Sequence, residues 1–452
     1  MKMIFKISVL FLLSAAAILA QTNESQLVVE GKSLKGKTVR GEKIREVIGD
    51  VIITHGSVVI TCDTAVQHLA TNEIELIGNV VGKKDTVTLF TPRGYYFGES
   101  KTAYTESGLV LNDGHYVITA EKGYYYYDEN KAHFFGRVEL FDSLNTLISD
   151  ELTYFNDADK AVAVGRVLIA DSSSAISADS LIYFQKDNST FGFNNVKISD
   201  PANDVTILGN LLEDYGEKNY TKITDSPVLI KIDTTEKGEI DSLIISCVLM
   251  ESAEDSLSKF LAIDSVKIVR GNFSSANQHA VFYKEKNMIF TYREEDELRQ
   301  PILWFENSQL VGDSIFIYIN KKNSLDHITI LHNASAISKN PLFNFRYDQI
   351  SGDTLQLYFE NDELKKAFVY GGFLSVYYLY DDGETNGLIK SSAKNAVINF
   401  ENNLVKEVKM YQDAITEYYP ENLVLNKEKD FTLPTFYIYK NRPTKETILK
   451  GR

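Results

Sequence analysis

Any chemistry this chain performs would have to come from a few recurring residue types. The commonest is Asp followed by Ser or Thr and an apolar residue, as in Asp63-Thr64-Ala65, Asp179-Ser180-Leu181, Asp241-Ser242-Leu243, Asp313-Ser314-Ile315 and Asp353-Thr354-Leu355. Stacked carboxylates could make a metal ladder. An Asp at a turn or strand entry can equally accept backbone N–H bonds and need no ligand, and that structural reading is preferred. The seven histidines, His55, His68, His115, His133, His279, His327 and His332, show neither HxH nor HExxH spacing, so no zinc site is expected. There is no GxSxG, no Gly-rich phosphate loop after a strand and no recognisable Cys–His context. Carboxylates are plentiful, but none is singled out as half of a catalytic pair. The expectation is a non-enzyme with no catalytic residues, no metal and no cofactor. Cys62 and Cys247 are expected to be two separate thiols, because nothing in the pattern brings them within disulfide reach. The Asn-x-Ser/Thr triplets at Asn23, Asn188, Asn219, Asn272 and Asn333 would accept glycans only in a eukaryotic secretory route.

The elements that must position these residues repeat. From Ile60 to Asp204 the sequence returns every 29 residues, in rows beginning at Ile60, Leu89, Ile118, Leu147 and Ile176. Each row is an apolar-alternating run, a polar turn, a second such run and another turn. The twenty-first column reads Val80, Leu109, Val138, Val167, Val196, and the twenty-third ends in Leu111, Leu140, Ile169, Ile198. A fixed period of this length marks stacked repeats, none of which can bury its apolar face alone. Period-2 alternation within a row argues half-buried strands. Gly78, Gly136 and Gly165 share the nineteenth column, with Asn194 in the fifth row and Gly108 one place displaced. Recurrent glycine inside a strand predicts a bend in every rung. Cys62, Thr91, Ala120, Ser149 and Ala178 form a small-residue column expected to point inward. Paired aromatics, Tyr96-Phe97, Tyr125-Tyr126, Tyr154-Phe155 and Tyr183-Phe184, put a ring on both faces of a strand, and alternation alone leaves open which ring points in.

The expected organisation is a signal peptide at 1–20, with Lys2 and Lys6 ahead of an apolar run too short to span a bilayer. A leader at 21–45 would supply at most one edge strand. A first β-unit at 46–235 and a second, looser one at 236–420 follow, divided near Asp225-Ser226-Pro227 and Thr234 to Gly238. A weakly ordered tail at 421–452 would end the chain. In the second unit the anchors Asn277, Asp313, Asp353 and Lys394 stand 36, 40 and 41 residues apart. The net charge is −15, so nucleic acid is not an expected partner.

The pattern apolar-Ser/Ala-Asp-x-Leu-x-Tyr-Phe, polar turn, apolar-x-Gly-Asn/Arg-Val is carried by Ile148 to Ile169, Ile176 to Ile198 and Ile350 to Gly372. It resembles the OstA-like family of periplasmic lipopolysaccharide-transport proteins, which includes the soluble bridge protein and the N-terminal domain of the outer-membrane assembly protein. The resemblance implies an all-β fold, a stacked antiparallel β-jellyroll or β-taco in two consecutive units, with acyl chains held between two facing sheets. It implies periplasmic localisation or association with the outer membrane. The implied partners are lipopolysaccharide or lipid A, other jellyroll-domain transport proteins at the inner and outer membranes, and head-to-tail self-association through strand edges at Val47 to Ile53 and Val405 to Tyr419. On that reading the groove-lining candidates are Ile60, Val80, Leu89, Leu109, Leu111, Ile118, Phe134, Val138, Leu140, Leu147, Val167, Ile169, Ile176, Val196 and Ile198. A dozen acyl carbons buried there would gain on the order of 10 kcal/mol at ~0.8 kcal/mol per CH2, so movement requires near-equal affinity from rung to rung. The reading from another class is a surface or secreted β-repeat adhesin or carbohydrate binder that uses its tyrosine-rich faces as stacking platforms. A parallel β-helix enzyme acting on polysaccharide fits less well, because the rows read as two strands joined by hairpin turns.

Overall fold

Alternating sequence becomes alternating burial along the first repeats. In the strand Lys131–Phe141, Ala132, Phe134, Val138 and Leu140 are buried, while Glu139 and Phe141 face solvent. The computed structural model describes residues 26–234, 240–253, 259–320, 324–340, 343–360, 363–381, 383–402 and 404–450. The expected signal peptide, and the boundary residues after Thr234, lie outside them. The described secondary structure is 32 strands and a few short helical turns, an all-β architecture. Strand neighbours pair antiparallel, as between Lys131–Phe141 and Thr146–Phe155 or Glu363–Asp381 and Glu384–Glu401. No helix among the described residues is long and apolar enough to cross a membrane. Among the described residues two compact units result, one within 26–117 and 121–129, the other within 118–120 and 130–450.

The predicted bend is present and has a specific backbone form. In the second unit two successive residues turn left-handed at Gly136-Arg137, Gly165-Arg166, Asn194-Asn195, Asp264-Ser265, His332-Asn333 and Gly371-Gly372. The ladder slips there, for instance between Val164 and Leu168 opposite Glu151 and Ile148. Glycine and asparagine tolerate this conformation at least cost, and a bulge of this kind bends the strand. Asp225-Ser226 is the same corner between Tyr220–Thr224 and Val228–Thr234. Each long strand therefore has two arms. One set of arms builds a first wall, whose inward ladder runs Leu140, Leu147, Ile169, Ile176, Ile198, Ile207, Leu229, Ile245, Ile268. The other builds a second wall through Phe134, Leu152, Ala163, Leu181, Gly192, Leu212, Ile223, Met250, Ala262. Residues of both ladders share one apolar core.

The first unit follows the same plan, with corners at Gly49-Asp50 and Gly78-Asn79 and an inward ladder Ile53, Ile60, Gly82, Leu89, Leu111. The leader is more ordered than expected. Leu27–Glu30 and Ser33–Val39 pair with the two arms of Glu42–His55. Val47 to Ile53 is therefore not an edge: Val47, Val51 and Ile53 are buried, with strands on both sides. The outermost strand is Ser33–Val39, exposed throughout. The evenly spaced glycines and lysines of this stretch hid it, because an edge strand wet on both faces has no alternation to read.

The expected weakly ordered tail is likewise corrected. Residues 421–450 lie as a strap on the outer face of the first wall of the second unit. The Gln309 amide donates to Tyr437 O at 2.8 Å and accepts from Tyr439 N at 2.9 Å, and Gln349 Oε1 accepts from Leu433 N at 2.8 Å. Arg442 donates to Ser274 Oγ and Asn272 O, and Lys445 Nζ reaches Asp241 Oδ1 at 3.1 Å. Val424 and Leu433 pack on Val376, Tyr378 and Leu388, while Tyr439 packs on Ile302, Trp304 and Val311. Beneath the strap lies Arg346, fully buried, its guanidinium paired with Glu421 and Glu428 at 2.6 and 3.3 Å and set over the Tyr378 ring.

Candidate functional site

The Asp triplets serve the corners. In the first unit Asn79 Nδ2 donates to Asp63 Oδ2 at 2.9 Å. In the second, Arg166 Nε donates to Asp150 Oδ1 at 3.0 Å, Asn195 Nδ2 donates to Asp179 Oδ2 at 2.9 Å, and Asn333 Nδ2 donates to Asp313 Oδ2 at 2.9 Å. Each carboxylate thus holds a left-handed residue of the next strand across the bulge. The Arg166 guanidinium draws the Asp150 carboxyl below its usual range by hydrogen bonding. Among the described residues no group of His, Cys, Asp and Glu is arranged to hold a metal. Cys62 and Cys247 are buried free thiols. Burial pushes them up to about 11 and about 12 respectively, which makes them poor nucleophiles. The small-residue column sits where the arms meet: Cys62 and Thr91 are buried in the first unit, Ala120, Ser149 and Ala178 in the second.

Of the groove candidates, Ile60, Val80, Leu89, Leu109 and Leu111 lie in the interior of the first unit. Ile118, Phe134, Val138, Leu140, Leu147, Val167, Ile169 and Val196 are buried in the second, where Ile176 and Ile198 are half-buried. Leu140, Leu147, Ile169, Ile176 and Ile198 are brought together as consecutive cross-strand neighbours. The aromatic pairs now resolve. Tyr96, Tyr125, Tyr154 and Tyr183 point in and are at most 1% exposed, and their partners Phe97, Tyr126, Phe155 and Phe184 lie half-buried on the other face. Tyr154 stands between Ala132 and Ala161, and Tyr183 between Ala161 and Thr190. This large-small alternation packs the interior over these rungs. Tyr183 Oη donates to Asp142 Oδ2 at 2.9 Å, and in the first unit Tyr96 Oη meets His55 Nδ1 at 2.9 Å. Burial raises both phenols well above their ordinary value.

Open space lies further along the second unit. A recess of about 1030 Å3, solvent at its mouth included, lies between the walls from Phe305 to Val408. The corresponding space in the first unit is about 320 Å3 and is lined by Tyr127 among others. Leu310, Ala336 and Ile350 of the first wall face Leu355, Leu357 and Val369 across the larger recess, and Phe305 meets Phe359 across the rims with ring centroids 5.1 Å apart. On the first-wall lip stands a polar row. Ser308 Oγ and Ser338 Oγ are 2.7 Å apart, Ser338 pairs across strands with Asp348, and Tyr377 also lines the space. Asp348 Oδ1 accepts from Tyr378 N at 2.9 Å. Burial lifts its carboxyl from 3.8 to about 7, against the lowering effect of that N–H.

Sequence reasoning missed this recess because the motif deceives there. In ISDELTYF the inward position four residues after Asp150 is Tyr154. In ISGDTLQLYF one more residue follows the Asp, so the inward position four after Asp353 is Leu357, and Tyr358 turns outward. The inward column then reads Ile317, Ile328, Leu357, Ala367, Ile398, and the tyrosine that fills the earlier rungs is gone. Counting from Asp, rather than matching Tyr-Phe, would have exposed it.

Bent antiparallel strands stacked into two walls around an aliphatic interior define a class of β-repeat protein with an apolar space between its walls. Residues 25–167 match the family model described as OstA-like protein, and this stretch of the chain is OstA-like. The match covers all but the last two residues of the Ile148 to Ile169 motif. The same corners and walls continue through the rungs beyond it. No curated protein matches the chain.

Proposed function

We propose that this protein is a periplasmic lipid-binding conduit that carries lipopolysaccharide toward the outer membrane, with acyl chains between the walls and the sugar headgroup outside. The observation that carries this reading is the recess, an apolar space open between two walls of an otherwise packed interior, in a chain whose first third is OstA-like. Burial of acyl CH2 groups at ~0.8 kcal/mol each supplies the affinity. In the open stretch the aliphatic column Ile317, Ile328, Leu357 and Ile398 keeps that affinity similar from rung to rung. The last rung, Leu404–Tyr411 and Ile415–Tyr419, pairs only with Glu384–Glu401 among the described residues and leaves Leu404, Val408, Tyr411, Ile415 and Tyr418 exposed. Such an edge suits strand addition by a jellyroll partner or a second copy.

The test is lipid extraction from protein purified out of its own envelope, with mass spectrometry for lipid A, together with photo-cross-linkers at Leu310 and Val369. Lipid A in the extract and cross-links at both positions are expected. A protein free of acyl ligand, with no cross-links at either position, would sink the conduit.

A further inference from the structure

The apolar side of the recess would hold any alkyl chain, so selectivity must come from its polar lip. That lip offers the hydroxyls of Ser308 and Ser338, the Asp348 carboxyl and the Tyr377 phenol. Among the described residues it brings no cation. The nearest in sequence, Arg346, is turned under the strap and held by Glu421 and Glu428. The other titratable groups felt around Asp348 are the phenols of Tyr377, Tyr378 and Tyr380. A carboxyl set in an apolar recess without a counter-cation must stay protonated or find a donor. Phosphate, sulfonate or carboxylate placed beside it would add a second negative charge to a site that cannot neutralise the first.

We infer that the recess is a selective subsite for a single alkyl chain whose head donates hydrogen bonds and carries no negative charge, the chain lying among Leu310, Ala336, Ile350 and Val369 and the head against Ser338 and Asp348. The inference rests on the lipid-binding reading and adds to it a headgroup preference: any anionic groups of a larger lipid stay outside the walls. Because burial holds the Asp348 carboxyl near neutrality, an ammonium head binds more tightly as the pH rises through 7 and the carboxyl ionises.

The probes are decylammonium, decyl maltoside and decanesulfonate, each below its micelle concentration, displacing a fluorescent naphthylamine dye from the full chain at pH 6 and pH 8.5. Decylammonium is expected to bind about tenfold tighter at pH 8.5 than at pH 6, the factor given by about 1.4 kcal/mol of pairing. Decyl maltoside should bind alike at both, and decanesulfonate weakest at both. Asp348→Asn should abolish the pH dependence and keep the maltoside, and Ala336→Phe should remove binding of all three while a thermal melt shows the fold retained. If Ala336→Phe fails to fold, Leu357→Tyr fills the same space. Sulfonate binding as tightly as ammonium, a flat pH response in the wild-type chain, or binding untouched by either filling variant would overturn the inference. Lipid A in the extract together with any of those results would leave the conduit standing and remove only this subsite. Decylammonium behaving as expected from a protein without lipid A would do the reverse.

Discussion

Two stretches of the second unit use the same corners and the same walls and arrive at opposite interiors. From Lys131 to Asp200 the inward column alternates Ala132, Tyr154, Ala161, Tyr183, and the rings close the space. From Ile302 to Tyr419 the same column is Ile317, Ile328, Leu357, Ala367, Ile398, and a recess opens. The backbone plan therefore sets only where side chains point. Whether there is room for a guest depends on one column of residue sizes, and the open stretch has a strap on its outer face to hold a wall with less packed against it.

The strap gives the largest test of that contrast. Glu421→Ala with Glu428→Ala leaves Arg346 buried without a carboxylate, which should cost about 3–5 kcal/mol in urea unfolding. If the strap supports the open stretch, cross-linkers at Val376 should report loss of contact with Leu433 while the early rungs keep their hydrogen-exchange protection.

The next largest effect separates the stretches by pH. Asp348 binds its proton more tightly folded than unfolded, because folding buries the carboxyl. Its contribution is full below about pH 4 and is lost as the pH rises to about 7, at up to about 1.4 kcal/mol per pH unit. Chemical denaturation across that window should show wild type losing stability relative to Asp348→Asn, and a constant difference would argue against a buried carboxyl at the lip.

Overpacking compares the interiors directly. Ala163→Phe, in the closed stretch, should cost about 1–3 kcal/mol, whereas Ala336→Phe, facing the recess, should cost less than about 1 kcal/mol. Equal costs would mean that both interiors are equally full. The smallest contrast between the stretches belongs to the corners, which they share. Gly165→Ala, at φ +78° and against the Asp150 carboxylate, should cost about 1–2 kcal/mol for the left-handed backbone. Arg166→Ala removes an exposed ion pair and should leave the thermal midpoint nearly unchanged.

Much of the fold was legible because each rung obeys local rules. Alternation marked the strands, and the Gly78, Gly136 and Gly165 column marked the corners, since a left-handed pair selects residues with little or no steric penalty. The inward members of the aromatic pairs were not legible, because a ring on each face satisfies either assignment until the neighbouring Ala132 and Ala161 are placed. The strap was missed for a different reason. Gln309, Gln349 and Arg442 act through hydrogen bonds to groups far away in sequence, and no periodicity records such partners. The recess depends on one added residue between Asp353 and Tyr358, a shift invisible to motif matching and decisive for which side chain points in.

The strap also changes how the array should fold. Stacked rungs know only their neighbours, so they can zip or fray one at a time. The bond from Lys445 to Asp241 closes a separation of 204 residues and can form only after the intervening rungs are in register. Long-range closures of this kind are slow to form and make the whole block melt together. During synthesis the rungs from Asp241 onward would therefore stack provisionally, and residues 421–450, emerging after them, would convert them into one cooperative body.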